Sequence, residues 1–203
     1  MNKEELVTLL RNQELRKIVF DTNALFSLKR FFDVCDRVDE LNKQFQFKLE
    51  IFIPALVYFE KLYDLRQKLG DKYDKQQFVA ILEEKQVQII SFEPNHAEAV
   101  ATLLYSQFST KEAWQTAKIE RCIKCLGIPI NNTSKNKSCS ATIDWLIAGY
   151  AVAEKCLLIT DDKGIEFKEI SRKTYLEILE QGLCELLNAT PCHSCGKENY
   201  QND

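Results

Sequence analysis

The sequence predicts an α/β fold, with a central, mainly parallel sheet of four to five strands flanked by helices. Three observations carry this. Short apolar runs recur along the chain, among them Ile18-Val19-Phe20, Ile51-Phe52-Ile53 and Leu157-Leu158-Ile159. Longer segments with apolar residues at helical spacing lie between them. Proline and glycine stand at the joints, as at Pro54, Gly70, Pro94, Gly127 and Gly164. Short strands alternating with helices build parallel sheets, because each return to the sheet needs a crossover.

Residues 3–15 read as an amphipathic helix with Leu6, Leu9 and Leu10 on one face. Residues 17–20 form a first strand. Asp21-Thr22-Asn23 then supplies side chains that cap a new helix carrying Leu25, Leu28, Phe31 and Phe32. A second helical stretch covers 34–46. Residues 49–53 are a second strand, stopped by Pro54, which suits the first turn of a helix. Helix 55–69 ends at Gly70. Residues 74–86 are helical, and 87–92 are a third strand. Pro94 opens helix 95–107, and 111–126 is a helix stopped by Gly127. Residues 127–141 are a polar loop. Helix 142–154, a fourth strand over 156–160, a turn at 161–164, a fifth strand over 165–170 and helix 172–187 complete the body. A polar tail follows. No internal repeat or extended low-complexity segment is present.

Composition narrows the class. A chain of 203 residues with 45% hydrophobic and 28% charged residues reads as soluble and globular. At this length roughly 70% of the unfolded surface is buried. No apolar run approaches a membrane span, so no membrane association is expected. The N-terminus Met1-Asn2-Lys3-Glu4-Glu5 lacks the basic-then-apolar pattern of a secretory signal, and a cytoplasmic location is expected. With a net charge of −3, any nucleic-acid binding must use a local patch instead of a global basic field. Of the eight cysteines, Cys35, Cys156 and Cys184 sit among apolar residues and read as small core hydrophobes in a reducing compartment.

Four acidic residues stand out. Asp21 ends the first strand and Asp162 follows the fourth. Asp144 lies in the first turn of a helix, and Glu60 on a helix that starts after the second strand. In parallel sheets ligands bind beyond the carboxyl ends of the strands, so all four are expected to face one crevice. Carboxylates at the ends of buried elements are costly unless a cation holds them together. A divalent ion with oxygen ligands is the natural cation, and metal-assisted phosphodiester hydrolysis the natural chemistry. No histidine base is needed, which fits a chain whose only histidines are His96 and His193. Taken singly, each residue has a plainer reading. Asp21 suits a helix cap, Asp144 a partner for a helix dipole, and Asp161-Asp162 a turn. Asp64, one turn after Glu60, competes for its place.

The segments around these residues resemble the motifs of PIN-domain nucleases. Residues 18–25 (IVFDTNAL) are similar to the opening motif, 53–60 (IPALVYFE) to the second, 144–151 (DWLIAGYA) to the third and 157–162 (LLITDD) to the fourth. The motifs stand in the family's order over roughly 16–170, and the pattern is most similar to VapC-type toxin ribonucleases. The resemblance implies an endoribonuclease dependent on Mg²⁺ or Mn²⁺, with Asp21, Glu60, Asp144 and Asp162 as catalytic metal ligands. Asp161 is a second candidate for the last place. Thr22 and Thr160 are implied as hydroxyls that orient a carboxylate or a phosphate oxygen. Residues 16–190 are then expected to form the PIN-like domain, and the chain adds to it an N-terminal helix, 1–15, packed on the domain, and a cysteine-containing tail, 191–203. The implied partners are an RNA substrate, an antitoxin protein and a second copy of the chain.

The chain is longer than VapC-type toxins. The loop before Asp144 carries Lys135 and Lys137, and the helix before it Lys118, Arg121 and Lys124; these suit phosphate contacts, or simply a solvated face. Cys122 and Cys125, with Cys192 and Cys195, form two C-x-x-C pairs, which together supply the four thiolates of a structural Zn²⁺ site. Cys139 or His193 can replace one ligand. Packing of the first pair on a helix face, a disordered tail and a redox dithiol are the competing readings. Two other functions stay open: a catalytically silent PIN-like module that binds RNA or protein, and an unrelated phosphoryl-transfer enzyme built on Asp21. Asn23 in place of an aspartate, and the lack of a phosphate-cradling glycine loop, weaken the last. Trp114, Trp145 and the phenylalanines of 25–32 read as core.

Overall fold

The computed structural model describes residues 1–126 and 142–187. These form two compact units. The first comprises Met1–Ser91, Lys155–Asp162 and the described part of Ser171–Asp203; the second comprises the described part of Phe92–Glu154 with Lys163–Ile170.

The first unit holds the whole sheet. Its strands are β1 (Lys17–Phe20), β2 (Glu50–Pro54), β3 (Val87–Ile90), β4 (Leu157–Ile159) and β5 (Lys173–Thr174). They lie in the order β3-β2-β1-β4-β5, and every pairing is parallel. Ile18, Val19 and Phe20 are fully buried in the central strand. Val19 stands opposite Phe52 on one side and Leu158 on the other. A strand covered on both faces must be apolar at every position, which is why these runs do not alternate. The chain leaves β1 toward β2 and β3, then returns to the other side of β1 as β4. The reversal places the carboxyl ends of β1 and β4 side by side, the position where open α/β sheets bind ligands.

Helices of this unit are α1 (Lys3–Arg11), α2 (Leu28–Phe45), α3 (Ala55–Leu69), α4 (Lys75–Glu84) and α8 (Leu176–Leu186). Asn2 and Glu5 close a capping box at the start of α1, so two otherwise unpaired donors are satisfied reciprocally. Leu6, Val7 and Leu10 bury that helix, and it packs on α8. Arg30 of α2 makes a bidentate pair with Glu180 of α8, at 2.9 and 2.6 Å. The side chain of Asn42 holds both backbone groups of Leu49, at 2.8 and 3.0 Å, and so fixes the entry to β2. Gly70 ends α3 at φ +54°, a conformation that costs a residue with a Cβ more.

Between strand four and helix α8 the structure departs from the sequence reading. Residues 165–170 are not a strand. Ile165–Phe167 form a 3₁₀ turn, and the fifth strand is Lys173–Thr174, paired with β4. The last helix accordingly starts at Leu176 and not at 172. Nor do two helices cover 25–46. A 3₁₀ turn over Asn23–Leu25 precedes one continuous helix, α2. Its cap is Ser27, which accepts from the Arg30 amide, so the Asp21-Thr22-Asn23 side chains are free of that duty.

The second unit contains α5 (Pro94–Gln107), α6 (Lys111–Leu126) and α7 (Ile143–Ala153). Helices α5 and α7 cross closely because Gly149 has no side chain; a Cβ there would sit 2.2 Å from Cγ2 of Val100. Trp145, Trp114 and Phe108 form a cluster with centroids 5.3–5.9 Å apart, in which Trp145 meets the other two rings edge-to-face. Trp145 is buried and Trp114 half-buried. His96 is buried here as a structural group. Its Nδ1 accepts the Glu93 amide at 2.7 Å, which leaves Nε2–H to donate to Glu154 at 3.0 Å.

Candidate metal centre

Asp21 follows the last residue of β1 directly, and its amide donates to the Ile159 carbonyl of β4 at 3.0 Å. Pairing with β4 therefore continues one residue past β1 and holds Asp21 at the reversal point. The side chain is only 4% exposed. One carboxylate oxygen, Oδ1, accepts the Thr22 amide at 2.7 Å, and Oδ2 accepts the Thr160 hydroxyl at 2.7 Å. Burial pushes this carboxyl up to about 6. The two hydrogen bonds pull the other way, while the negative charges of Asp162 and Glu60 add to the rise.

Thr160 is the hub of the strand ends. Besides donating to Asp21, its hydroxyl oxygen accepts the Asp162 amide at 3.0 Å and the Asn23 side-chain amide at 3.2 Å. Asn23 completes a bridge by accepting the Asp161 amide on Oδ1 at 3.0 Å. The residues after β1 and after β4 are thus tied together by side chains as well as by the sheet. Asp161 is exposed, whereas Asp162 is half-buried and acts on Asp21 electrostatically. Of the two, it is Asp162 whose charge bears on Asp21.

Glu60 lies on the second turn of α3 and accepts the Thr22 hydroxyl. Asp64, its rival one turn later, is engaged by Lys61 and Lys68 at 3.3 and 3.0 Å. Those lysines hold its carboxyl below the ordinary range despite partial burial, which works the other way. In the second unit, Asp144 lies in the first turn of α7 and is buried. Glu166, from the 3₁₀ turn, is buried as well and brings a carboxylate oxygen within 4.8 Å of one on Asp144.

Two of these residues were not singled out from sequence. The sequence offers Asn23 only as a helix cap; its bridging role depends on the adjacency of β1 and β4, which no local pattern encodes. Glu166 lies in a segment whose pattern suggests a strand, and the signal that marks it is an acid between the apolar Ile165 and Phe167. Cys139, Lys135, Lys137, Cys192, His193 and Cys195 lie outside the described residues. Cys122 and Cys125 lie on α6, with side chains likewise outside them.

The donor set suits a hard divalent cation. Asp21, Glu60 and Asp162 offer only oxygen, the ligand type that Mg²⁺ and Mn²⁺ prefer. A buried carboxylate whose charge is disfavoured by burial and by two further acids gains most from such an ion.

No curated protein matches the chain. A chain in a toxin–antitoxin complex from Klebsiella pneumoniae is 16% identical, covers 78% of this chain and 97% of its own, and has a TM-score of 0.42. A chain of the DNA-bound VapBC from Salmonella typhimurium is 16% identical, with 80% and 99% covered and a TM-score of 0.46. A chain of VapBC2 from Rickettsia felis, bound to a promoter DNA fragment, is 19% identical, with 78% and 96% covered and a TM-score of 0.40. The family model of the PIN domain matches residues 18–173, from the first residues of β1 to the start of β5. With well over half of its length matched, the chain belongs to the PIN-domain family.

Proposed function

We propose that the protein is a divalent-metal-dependent endoribonuclease, with Asp21, Glu60 and Asp162 of the first unit as its metal ligands. Asp144 of the second unit is assigned to the same role on motif order alone, and Glu166 is its neighbour. The observation that carries the reading is the state of Asp21: a buried carboxylate at the reversal point of a parallel sheet, acted on by two further acids. A bound Mg²⁺ or Mn²⁺ supplies charge neutralisation on a phosphodiester and a nucleophile from water.

The protein's own part in that chemistry is positioning. Thr160 and the Thr22 amide hold the two oxygens of Asp21 in fixed directions. The Thr22 hydroxyl does the same for Glu60, and the Asn23 bridge holds the backbone that carries Asp161 and Asp162. Pre-organised ligands spare the site a reorganisation during reaction. On the motif resemblance, we extend the proposal to a toxin role in which an antitoxin protein blocks the site.

Cleavage of a labelled RNA pool with Mg²⁺ or Mn²⁺, against EDTA and against folded Asp21→Asn and Asp144→Asn, tests the proposal. Cleavage that needs metal and is lost in both variants supports it. Cleavage that persists in both contradicts it, and a well-folded, metal-loaded protein that cuts nothing in the pool leaves a binding module as the better reading.

A further inference from the structure

One face of α3 is difficult to explain as packing. Its inward residues are Val57, which is fully buried, and Lys61, which is 4% exposed; Tyr58 beside them is half-buried, with its ring stacked on Phe78 of α4 at 6.1 Å and 6° between planes. Phe59 and Tyr63 lie on the outward face, each 61% exposed. They are four residues apart, so their rings stand about 6 Å apart along the helix axis on the same side. Arg66 continues the line one turn on. Its guanidinium lies 5.5 Å from the centre of the Tyr73 ring. A single exposed ring needs no explanation. Two rings followed in register by an arginine lying over a third form a pattern of another kind.

The stripe begins beside the acidic site. Phe59 immediately precedes Glu60, whose carboxylate is held by Thr22 next to Asp21. The same helix therefore presents an acidic ligand on one side and an aromatic–cationic stripe on the adjoining one. Bases stack on aromatic faces whatever their identity, and arginine adds a cation that serves both a base and a phosphate. Only unpaired bases can be reached in this way, because a duplex hides their faces in its own stack.

We propose that Phe59, Tyr63 and Arg66 on Tyr73 form a stacking track that holds single-stranded RNA as it enters the carboxylate site. The track deepens the proposed function and rests on it for its substrate. It gives the site a preference for unpaired RNA with little preference of sequence, and it supplies a local cationic contact in a chain whose net charge is −3.

Fluorescence anisotropy of a short labelled oligoribonucleotide of mixed sequence, with the full chain in EDTA, tests the track without cleavage. Phe59→Leu/Tyr63→Leu keeps the surface apolar and removes the rings. It is expected to weaken binding by about tenfold or more with an unchanged melting temperature. Phe45→Ala removes an exposed ring from the carboxyl end of α2, by the opposite end of the sheet, and is expected to bind as wild type. The duplex of the same sequence is expected to bind weakly, and equally, to wild type and the leucine variant. Wild-type affinity in the leucine variant overturns the proposal. If light scattering also shows that variant to be monomeric where wild type is dimeric, the stripe is an interface between copies. Failure to bind the single strand at all overturns it too. The two readings fail separately: ring-dependent binding without metal-dependent cleavage keeps the track and rejects the nuclease, and cleavage with ring-independent binding does the reverse.

Discussion

The hydroxyl of Thr160 donates to the buried carboxylate of Asp21 across 2.7 Å, and so joins the residue after β4 to the residue after β1. A buried acceptor that loses its donor carries the full desolvation cost. Thr160→Val, nearly isosteric, is expected to lower stability by about 1–3 kcal/mol in urea unfolding, and Thr160→Ser by less than about 1 kcal/mol. Equal loss in both would mean that packing and not the hydroxyl matters at this position.

Asp21 also makes stability depend on pH in an unusual direction. Its carboxyl stands at about 6 in the folded chain against an ordinary 3.8. The folded state therefore binds the proton more tightly than the unfolded one. Stability that this residue leaves intact below about pH 4 is lost as the pH rises through about 6, by roughly 3 kcal/mol at most. Metal-free wild type should lose more stability than Asp21→Asn between about pH 4 and about pH 7. Millimolar Mg²⁺ or Mn²⁺ should restore much of the loss and raise the melting temperature of wild type alone. Parallel pH profiles for the two proteins would show that Asp21 is not desolvated as described.

Asn23 makes no charge of its own available, yet it holds both Thr160 and Asp161. Groups that orient metal ligands typically contribute about tenfold or more to affinity. Asn23→Ala is expected to weaken Mn²⁺ binding by about tenfold while costing about 1 kcal/mol of stability. Calorimetric titration showing unchanged affinity would reduce Asn23 to a loop residue.

In the second unit, Gly149→Ala brings a Cβ to 2.2 Å from the Val100 side chain and 2.9 Å from its backbone nitrogen. Overpacking of this kind typically costs about 1–3 kcal/mol. Val100→Ala in the same chain should recover only part of it, because the backbone contact remains. Full recovery in thermal melts would place the whole clash in the side chain.

Much of the fold was legible because the physics was local. β1, β2 and β4 are buried on both faces, and their unbroken apolar runs announce it. Pro54, Gly70 and Pro94 mark the ends of elements because their backbone preferences act within one or two residues. The fifth strand escaped notice because Lys173-Thr174 is two residues long and is a strand only by pairing with β4. Ile165 and Phe167 alternate around Glu166 and so mimic a strand, yet they form a 3₁₀ turn. Ser27, not Asp21, caps α2, which frees Asp21 for the strand ends. The position of the candidate site was legible to the extent that an acid after a strand lies where parallel sheets bind ligands. The bridge through Asn23 was not, because it exists only once β1 and β4 are neighbours.

The most direct test of the central claim is Mn²⁺ binding, followed by electron paramagnetic resonance of free against bound ion. Wild type is predicted to bind Mn²⁺, and Asp21→Asn and Asp162→Asn to lose most of that binding, with all three proteins folded. Equal binding by wild type and Asp21→Asn, or no binding by wild type, would contradict a metal site at the ends of β1 and β4.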